Sequence, residues 1–268
     1  MPRHLRARTA DRHALYTEAV QSPESDARFL SRHFARVTGR RLRRLREDFC
    51  GTAALSCAFV RQHREHTALG VDRDAATLAW GRRHYVGPLP PEQRRRVRLL
   101  RADVRAITRP RVELTCALNF SWFVFHTRTE LEGYLRRARA GLVPGGLLVL
   151  DIFGGSDAQR ELAERRRLCG FRYVWDQVEF EPVTARYRCA IHFEFPDGSR
   201  LRNAFTYDWR LWSLPEAIEA MAAAGFADVH VLWENTDRRR GRGNGVYRRV
   251  ARGENDPAWL AYVVGRKL

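Results

Sequence analysis

Acidic residues end two segments that are typical of buried β-strands. Asp72 ends the segment HTALGVD, and Asp103 ends VRLLRAD. An acid at the end of the second strand of an open α/β sheet can accept hydrogen bonds from both hydroxyls of a ribose, a bidentate task for which a carboxylate is suited. The alternatives are a helix N-terminal acid for Asp72 and a turn aspartate for Asp103. The first is weakened because Asp74 already suits that role.

The loop LREDFCGTAALS has an acid, Glu47, but a single glycine, Gly51. A turn that binds a dinucleotide usually reads GxGxxG, because its second glycine lets the backbone approach a pyrophosphate and its third lets the helix pack closely. Those two roles are not filled here. We therefore do not expect a nicotinamide cofactor, and the loop alone is equally consistent with an ordinary turn from a strand into a helix.

The elements that must position these residues alternate between strands and helices from Glu47 onward, which predicts a doubly wound α/β fold. Capping patterns predict helix starts at Asp74, at Thr127 with Glu130, and at Ser213 with Glu216. The strand-like segments are LREDFC, HTALGVD, VRLLRAD, ELTCALNF, LLVLDIFGG, VHVLWE and WLAYVVGRKL. The sequence therefore predicts a seven-stranded sheet.

Three long, aromatic segments with alternating polarity lie between the fifth and sixth strands: FRYVWDQVEF, YRCAIHFEF and RLRNAFTYDW. They predict a three-stranded antiparallel meander inserted after strand five. If PDGS forms a two-residue turn, His192 lies opposite Asn203. Period-two alternation then puts Tyr207 and Phe205 on the same face as His192, and Ile191 on the opposite face, which packs.

The composition narrows the class of protein. The chain has 268 residues and a net charge of +17, and Lys267 is its only lysine. Its arginine runs are scattered between acids, so we interpret them as solvated faces and not as one groove. Apolar runs are too short for a membrane helix, the start lacks the apolar centre of a signal peptide, and the cysteines form no CxxC pair. We expect one cytoplasmic domain without a metal site.

The glycine-poor loop resembles motif I of class I S-adenosylmethionine-dependent methyltransferases, which is an acid followed by GxGxG. On that alignment Glu47 is the acid, Phe49 and Ala53 stand at the first and third glycines, and Cys50-Gly51-Thr52 form the centre. The last two strands resemble the paired sixth and seventh strands of that superfamily, of which the last is antiparallel. EDFCGTA, LNFSWFVF, AFTYDWRLW and YTEAVQSPES also resemble a bacterial methyltransferase-like family. That likeness indicates the cofactor and not the acceptor.

The resemblance implies a methyltransferase that binds S-adenosylmethionine, with Asp72 on the ribose and Asp103 on the adenine amino group. The implied cofactor-binding residues are Glu47, Phe49, Cys50, Gly51, Thr52, Asp72, Arg73, Asp103, Val104 and Asn119. We expect a single domain that divides into an N-terminal helical lid (1–44), a cofactor-binding half (45–156), the inserted meander (157–212) and a C-terminal helix with strands six and seven (213–268).

The acceptor is expected beyond the carboxyl ends of strands four and five, because ligands of open α/β sheets bind there. The candidate pocket residues are Ser121, Trp122, Asn203 and Tyr16, although Trp122 also suits core packing. Alignment and exclusion of water supply much of the catalysis of an in-line displacement, and a base matters only if the acceptor arrives protonated. His192 and Tyr207 are the candidates for that base, although a strand histidine is more often structural.

The meander is aromatic and mixed in charge, which favours a closed pocket for a small N or O acceptor over a phosphate track. Two alternatives stay open. One is an RNA methyltransferase, which would need an added binding domain or a continuous basic face. The other is a basic RNA-binding or assembly protein on a methyltransferase scaffold, which the intact ribose and adenine acids disfavour.

Overall fold

The computed structural model describes residues 6–237 and 242–268. In the first part of the chain the helices and strands are α1 Arg12–Val20, α2 Pro23–Thr38, β1 Arg44–Asp48, α3 Ala54–Gln62, β2 Thr67–Asp72, α4 Ala75–Gly81, α5 Pro91–Arg94, β3 Val97–Arg101, β4 Val112–Ala117, α6 Arg128–Ala140 and β5 Leu142–Gly154. A π-helical turn, Arg82–Val86, continues α4, and 3₁₀ turns follow β3 (Val104–Ala106) and β4 (Ser121–Val124).

After β5 comes a further 3₁₀ turn, Ser156–Gln159, and the chain then forms mostly strands. These elements are β6 Leu162–Leu168, β7 Phe171–Glu181, β8 Arg186–Glu194, β9 Arg200–Arg210, α7 Leu214–Ala223, β10 Ala227–Asp237, β11 Arg242–Val250 and β12 Trp259–Arg266.

The main sheet has the strand order β11-β10-β12-β5-β4-β1-β2-β3. β1 to β5 pair in parallel, and β12 runs antiparallel between β5 and β10. The predicted doubly wound sheet with an antiparallel last strand is confirmed. The predicted number of strands is wrong, because β11 adds an eighth at the edge. Part of it was predicted as the loop DRRRGRGNG, of which residues 238–241 lie outside the described residues. An edge strand whose side chains are mostly exposed needs no alternating pattern, so the sequence did not reveal this one.

A buried ion pair explains how the charged segment around LREDFC forms a central strand. Arg46 in β1 is fully buried, and its Nε donates to Asp48 Oδ1 at 2.6 Å. Its Nη2 donates to Asp48 Oδ2 at 3.0 Å and to the carbonyl of Val104 at 2.8 Å. The Tyr134 hydroxyl donates to the same carboxylate at 3.0 Å. The charges are thus satisfied within the core, as buried ions require.

The inserted region is a separate antiparallel sheet in the order β6-β7-β8-β9. The predicted meander corresponds to β7, β8 and β9, so the insertion has four strands where three were predicted. The additional strand, β6, reads LAERRRL and is mostly exposed. As an edge strand it can carry charges on both sides, and its sequence therefore lacks the alternation by which the other three strands were recognised.

An irregularity at Asn203 corrects the predicted faces of this second sheet. Asn203 has a φ of 49°, and its N–H donates to His192 Nδ1 at 2.8 Å, so the two residues do lie opposite each other. The β8–β9 pairing shifts there: Ile191 pairs with Phe205, and Cys189 pairs with Tyr207. Tyr207 therefore shares a face with Ile191 and not with His192. A bulge changes which face the later side chains occupy, and alternation alone could not show it.

The predicted helix starts are confirmed. The Asp74 side chain accepts from Thr77 N–H at the start of α4, and Thr127 with Glu130 and Ser213 with Glu216 form capping boxes at the starts of α6 and α7. In the part of the chain that the structure describes, no helix is both long and apolar enough to cross a membrane.

Candidate active site

The loop between β1 and α3 has a left-handed backbone at three alternate positions. Phe49 has a φ of 56°, Gly51 a φ of 52° and Ala53 a φ of 61°. These are the three positions at which the motif GxGxG would have glycines. Left-handed conformations are unfavourable for residues with a Cβ atom, so Phe49 and Ala53 are held there by their surroundings. The conformation of a glycine-rich loop is present although two of its glycines are not.

Asp72, at the end of β2, clamps this loop. Its Oδ2 accepts from Gly51 N–H at 2.8 Å, and its Oδ1 accepts from Asp74 N–H at 2.9 Å. The side chain is half-buried and lines a cleft. Each carboxylate oxygen has a second lone pair, so Asp72 can still accept from a ligand while it holds the loop.

The cleft beside Asp72 has a volume of about 790 Å³. Its lining includes Phe49, Arg73, Asp103 and Val104 from the loops after β1, β2 and β3. Asp103 is already paired, because its two oxygens accept from Arg105 Nε at 3.0 Å and Nη2 at 2.7 Å. Hydrogen bonds from Arg105 lower the pKa of Asp103. The carboxylate therefore stays ionised at neutral pH but must share its acceptor capacity.

A second cavity, of about 490 Å³, lies between the N-terminal helices, the carboxyl edge of the main sheet and the inserted sheet. We call it the chamber. Its lining comprises Tyr16, Ala19, Val20, Ser22, Asp26, Leu118, Asn119, Phe120, Asp151, Glu164, Arg166, Tyr173, Trp175, Ile191, Tyr207, Trp209, Leu260 and Tyr262. Tyr207 and Trp209 also line the cleft. The two cavities thus meet at this pair of rings.

Three of these aromatic side chains pack together as one wall of the chamber. The ring centroids of Tyr207 and Trp209 are 4.3 Å apart, those of Trp175 and Tyr207 are 5.8 Å apart, and those of Trp175 and Trp209 are 6.1 Å apart. We call these three residues the aromatic wall. Such ring faces attract cations electrostatically, and they do so more strongly where water is excluded.

A second carboxylate clamp lines the chamber. Asp151 in β5 is 6% exposed, and it accepts from Asn119 N–H at 2.6 Å and from Phe120 N–H at 2.9 Å. Asn119 and Phe120 are left-handed, with φ of 56° and 58°. The backbone carbonyl of Asp151 accepts from Trp122 Nε1 at 2.6 Å. Asp151 therefore fixes the loop after β4 and presents a carboxylate to the chamber.

Burial shifts the titration of three acids in this region toward neutral pH. It raises the pKa of Asp151 to about 8, against the opposing effect of its two backbone hydrogen bonds. It raises the pKa of Asp26 in α2 to about 6. Burial also raises the pKa of Glu47 to about 8, although Ser56 donates to Glu47 Oε2 from its N–H at 2.9 Å and its hydroxyl at 2.6 Å. These sites favour the charged form once a cation is nearby.

Two tyrosines in the chamber remain protonated. Burial raises the pKa of Tyr16 to about 12 and raises that of Tyr207 well above its usual value. Tyr207 was a candidate base, but at neutral pH it carries its proton and serves as a hydrogen-bond donor. The geometry therefore disfavours it as a base.

His192, the other candidate base, does not line the cleft or the chamber. Its Nδ1 accepts from Asn203 N–H, and its Nε2 lies 3.1 Å from Asp176 Oδ2 on the neighbouring strand. Both ring nitrogens are thus engaged within the inserted sheet. Because the bulge puts His192 on the face opposite Tyr207, the structure supports a structural role for this histidine.

The structure brings only some of the predicted residues to the cavities. Glu47 and Phe49 line a small recess that joins the chamber through Asn119, while Tyr16 lines the chamber itself. Besides His192 and Trp122, five predicted residues do not line the cleft, the recess or the chamber: Cys50, Gly51, Thr52, Ser121 and Asn203. Trp122 is fully buried in the core, which corrects its assignment to the substrate pocket.

The sequence reasoning missed Asp151, Asp26 and Arg105. Asp151 ends the apolar run LLVLD, and an acid directly after a buried strand was the signal that drew attention to Asp72. Asp26 had no comparable signal, because an acid in the first turn of a helix is ordinary.

No family model and no curated protein matches this sequence. Solved structures match along nearly its whole length. An S-adenosylmethionine-dependent methyltransferase from Clostridium acetobutylicum is 13% identical, with a TM-score of 0.68 over 95% of this chain and 97% of that one. CalS10, an amino pentose methyltransferase from Micromonospora echinaspora, is 18% identical, with a TM-score of 0.65 over 95% and 96%. KedS8, a sugar N-methyltransferase from Streptoalloteichus, is 19% identical, with a TM-score of 0.64 over 96% and 93%.

This chain has the class I methyltransferase fold. Without the edge strand β11, the main sheet has seven strands in the order β3-β2-β1-β4-β5-β12-β10. The shared fold does not by itself identify the cofactor or the acceptor.

Proposed function

We propose that this protein transfers a methyl group from S-adenosylmethionine to the amino group of a small molecule. The observation that carries the proposal is the meeting of the cleft and the chamber at Tyr207 and Trp209. The cleft has acids suited to an adenosine, and the chamber has acids and rings suited to a cation. At this junction a methyl donor bound in the cleft would meet an acceptor bound in the chamber, as methyl transfer requires.

The cleft residues fit the proposed cofactor. S-adenosylmethionine, when bound, supplies a methyl group on a positively charged sulfonium. Asp72 and Asp103 are acceptors, which match the ribose hydroxyls and the adenine amino group. Phe49, Arg73 and Val104 complete the sides of the cleft. The left-handed loop at residues 49–53 has the backbone that motif I requires, and Glu47 and Asn119 line the recess that continues from Phe49 toward the chamber.

The chamber favours an amine over a hydroxyl acceptor. Asp26, Asp151 and Glu164 line it, against Arg166 as the one fixed cation among the described lining residues. The aromatic wall adds a surface that attracts positive charge. A protonated amine would be drawn to this chamber, whereas a neutral hydroxyl would gain little from it. Two of the similar structures are named for amino pentose and sugar N-methylation, which agrees with this choice.

Asp151 is suited to remove the proton that an ammonium group must lose before its nitrogen can react. Its pKa of about 8 lies closer to that of an amine than the pKa of an exposed aspartate does, and an ammonium group beside it would favour the ionised carboxylate that can accept the proton. Its position is fixed by the N–H groups of Asn119 and Phe120. In this proposal Asp151 accepts the proton, Tyr16 and Tyr207 donate hydrogen bonds, and the second sheet with α1 excludes water.

Isothermal titration calorimetry with S-adenosylmethionine and S-adenosylhomocysteine tests the cofactor. We expect both to bind the purified, folded protein, and NADH to bind less tightly. No binding of either sulfur compound, or tighter binding of NADH, would overturn the proposal.

The acceptor can be tested by incubation with S-adenosylmethionine labelled in its methyl group. We expect label in the amine fraction of a deproteinised metabolite extract when enzyme is substoichiometric. Label in total RNA with none in the metabolites would favour the RNA alternative. Prior acetylation of the extract should abolish labelling if the acceptor is an amine, and labelling that survives acetylation of amines would argue for another acceptor atom.

A further inference from the structure

A groove between α2 and β11 has no role in the proposed methyl transfer. It has a volume of about 280 Å³ and is lined by residues of the two elements. It shares no lining residue with the cleft or the chamber. We call it the α2–β11 groove.

Three arginines line one side of the groove. Arg28, Arg32 and Arg36 are spaced four residues apart on α2, so they lie one above another on the same face of the helix. All three are exposed, and within the described ranges none makes an ion pair; the Nη2 atom of Arg28 donates only to Ser25 Oγ, at 3.2 Å. Like charges at this spacing repel each other and destabilise a helix. An anion in the groove would relieve that repulsion.

A buried histidine also faces this groove. His33 is 8% exposed, and its Nε2 has no hydrogen-bond partner among residues 6–237 and 242–268. Buried polar atoms are nearly always satisfied, so an unpartnered one calls for an explanation. His33 is the buried residue among those that line the groove. The Nε2 atom itself exposes less than 1 Å² of surface, so a phosphate bound beside the imidazole would satisfy it after a small movement of the neighbouring side chains.

Half-exposed aromatic rings form the floor of the groove. The ring centroids of Phe29 and Tyr247 are 5.3 Å apart, and the side chain of Val246 beside them is 47% exposed. A basic surface alone would attract any anion. The combination of arginines with rings on which a base can stack is characteristic of nucleotide recognition.

We propose that the α2–β11 groove is a second binding site, which takes the phosphate of a nucleotide whose base packs against Phe29 and Tyr247. The nucleotide can be free or part of a single strand, because both present the same phosphate and base. In this proposal three of the arginines that contribute to the net charge of +17 bind a phosphate. The sequence spacing of Arg28, Arg32 and Arg36 was visible in advance, but the scatter of the other arginine runs obscured it.

The test uses uridine 5′-monophosphate, inorganic phosphate, uridine and a single-stranded oligouridylate about ten nucleotides long. Saturating S-adenosylhomocysteine keeps these probes out of the cleft. We expect calorimetry to show that uridine 5′-monophosphate binds more tightly than inorganic phosphate and that uridine does not bind. Arg32→Ala should weaken the monophosphate at least about tenfold, and Arg83→Ala, which removes an exposed arginine outside the groove, should change it less than about twofold.

Two further measurements show whether the phosphate belongs to a free nucleotide or to a single strand, and whether it contacts His33. Tighter binding of the oligouridylate, with a steep dependence on salt that Arg32→Ala reduces, would identify single-stranded nucleic acid as the source, and equal affinity would identify a free nucleotide. The imidazole NMR signals of His33 should report a raised pKa when the monophosphate is added. No binding of either phosphate probe at low salt, binding unaffected by Arg32→Ala, or an unchanged His33 signal would overturn the proposal.

Discussion

Two loops at the carboxyl edge of the main sheet are held by the same device in different surroundings. In the loop at residues 49–53, the half-buried Asp72 accepts the N–H of a left-handed residue, Gly51. In the loop at residues 118–120, the buried Asp151 accepts the N–H groups of two left-handed residues. Each acid comes from a strand next to the one that precedes its loop.

The difference in burial gives the two clamps different consequences. Because the Asp72 carboxylate borders an open cleft, water can replace part of the hydrogen bonding that it supplies to the loop. Water cannot readily reach Asp151, so the bonds that it makes are harder to replace and its charge is harder to hold. In the cleft, the clamping carboxylate can therefore also accept hydrogen bonds from a ligand. In the chamber, the clamping carboxylate is hard to ionise and attracts a cation.

The strongest test of this difference is removal of the buried clamp. Asp151→Ala leaves two N–H groups without an acceptor, at about 1–3 kcal/mol each, so we expect the free energy of unfolding to fall by about 2–6 kcal/mol. Urea denaturation measures it. Asp151→Asn keeps one acceptor oxygen and should be less destabilised, while turnover of an amine acceptor should still fall about a hundredfold or more because the proton acceptor is gone. Equal stability of the two variants would contradict the clamp.

The pH dependence of stability should also report two buried acids, Asp151 in the chamber and Glu47 in the recess. The folded-state pKa values of Asp151 and Glu47, both about 8, lie above the ordinary values of 3.8 and 4.5. A raised acid pKa means that stability is complete below the unfolded-state pKa and is lost as the pH rises toward 8. We expect a loss of up to about 1.4 kcal/mol per pH unit for each group across that window. Asp151→Asn should flatten the profile, and an unchanged profile would contradict the assigned burial effect.

Removal of the half-buried clamp by Asp72 should affect binding more than folding. Asp72→Ala loses charge-assisted hydrogen bonds worth about 1.5–3 kcal/mol to a ribose, so cofactor affinity should fall at least about tenfold. Calorimetry on the folded variant measures it. The matched control is Asp74→Ala, which removes the cap of α4 and costs about 1 kcal/mol of stability but leaves the cleft lining intact. An Asp72→Ala protein with wild-type affinity would show that this acid does not face the cofactor.

The position of the loop at residues 49–53 could be predicted because the residues that mark it lie next to recognisable strands. Glu47, Gly51 and Asp72 have fixed positions relative to strands that are themselves readable from apolar runs. What the sequence could not show is that Phe49 and Ala53 would adopt glycine-like angles, since their neighbours and not their own preferences impose them.

The chamber could be predicted only in outline, because its residues meet through tertiary contacts. The bulge at Asn203 decides that Tyr207 faces the cavity and His192 does not, and the only sequence hint was that asparagine tolerates left-handed angles. Asp26 and Asp151 come from distant segments, and nothing in either segment shows that the two acids line one cavity. The aromatic segments did predict a roof of strands, but not which rings would form the aromatic wall.

The smallest expected effect concerns the third left-handed position of the loop at residues 49–53. Ala53 is fully buried at a φ of 61°, so Ala53→Gly relieves roughly 1 kcal/mol of backbone strain and loses a buried methyl worth about 0.8 kcal/mol and some chain entropy. We expect the free energy of unfolding to change by less than about 0.5 kcal/mol, because these contributions nearly cancel. The matched control is Gly51→Ala, whose new Cβ would meet only Thr77 Cγ2 at 3.8 Å. It should lose about 1 kcal/mol from backbone strain alone. A large gain in stability from Ala53→Gly would mean that the backbone at Ala53 is more strained than its left-handed angles imply. The Asp72 clamp would then hold its loop against more backbone strain than the Asp151 clamp does.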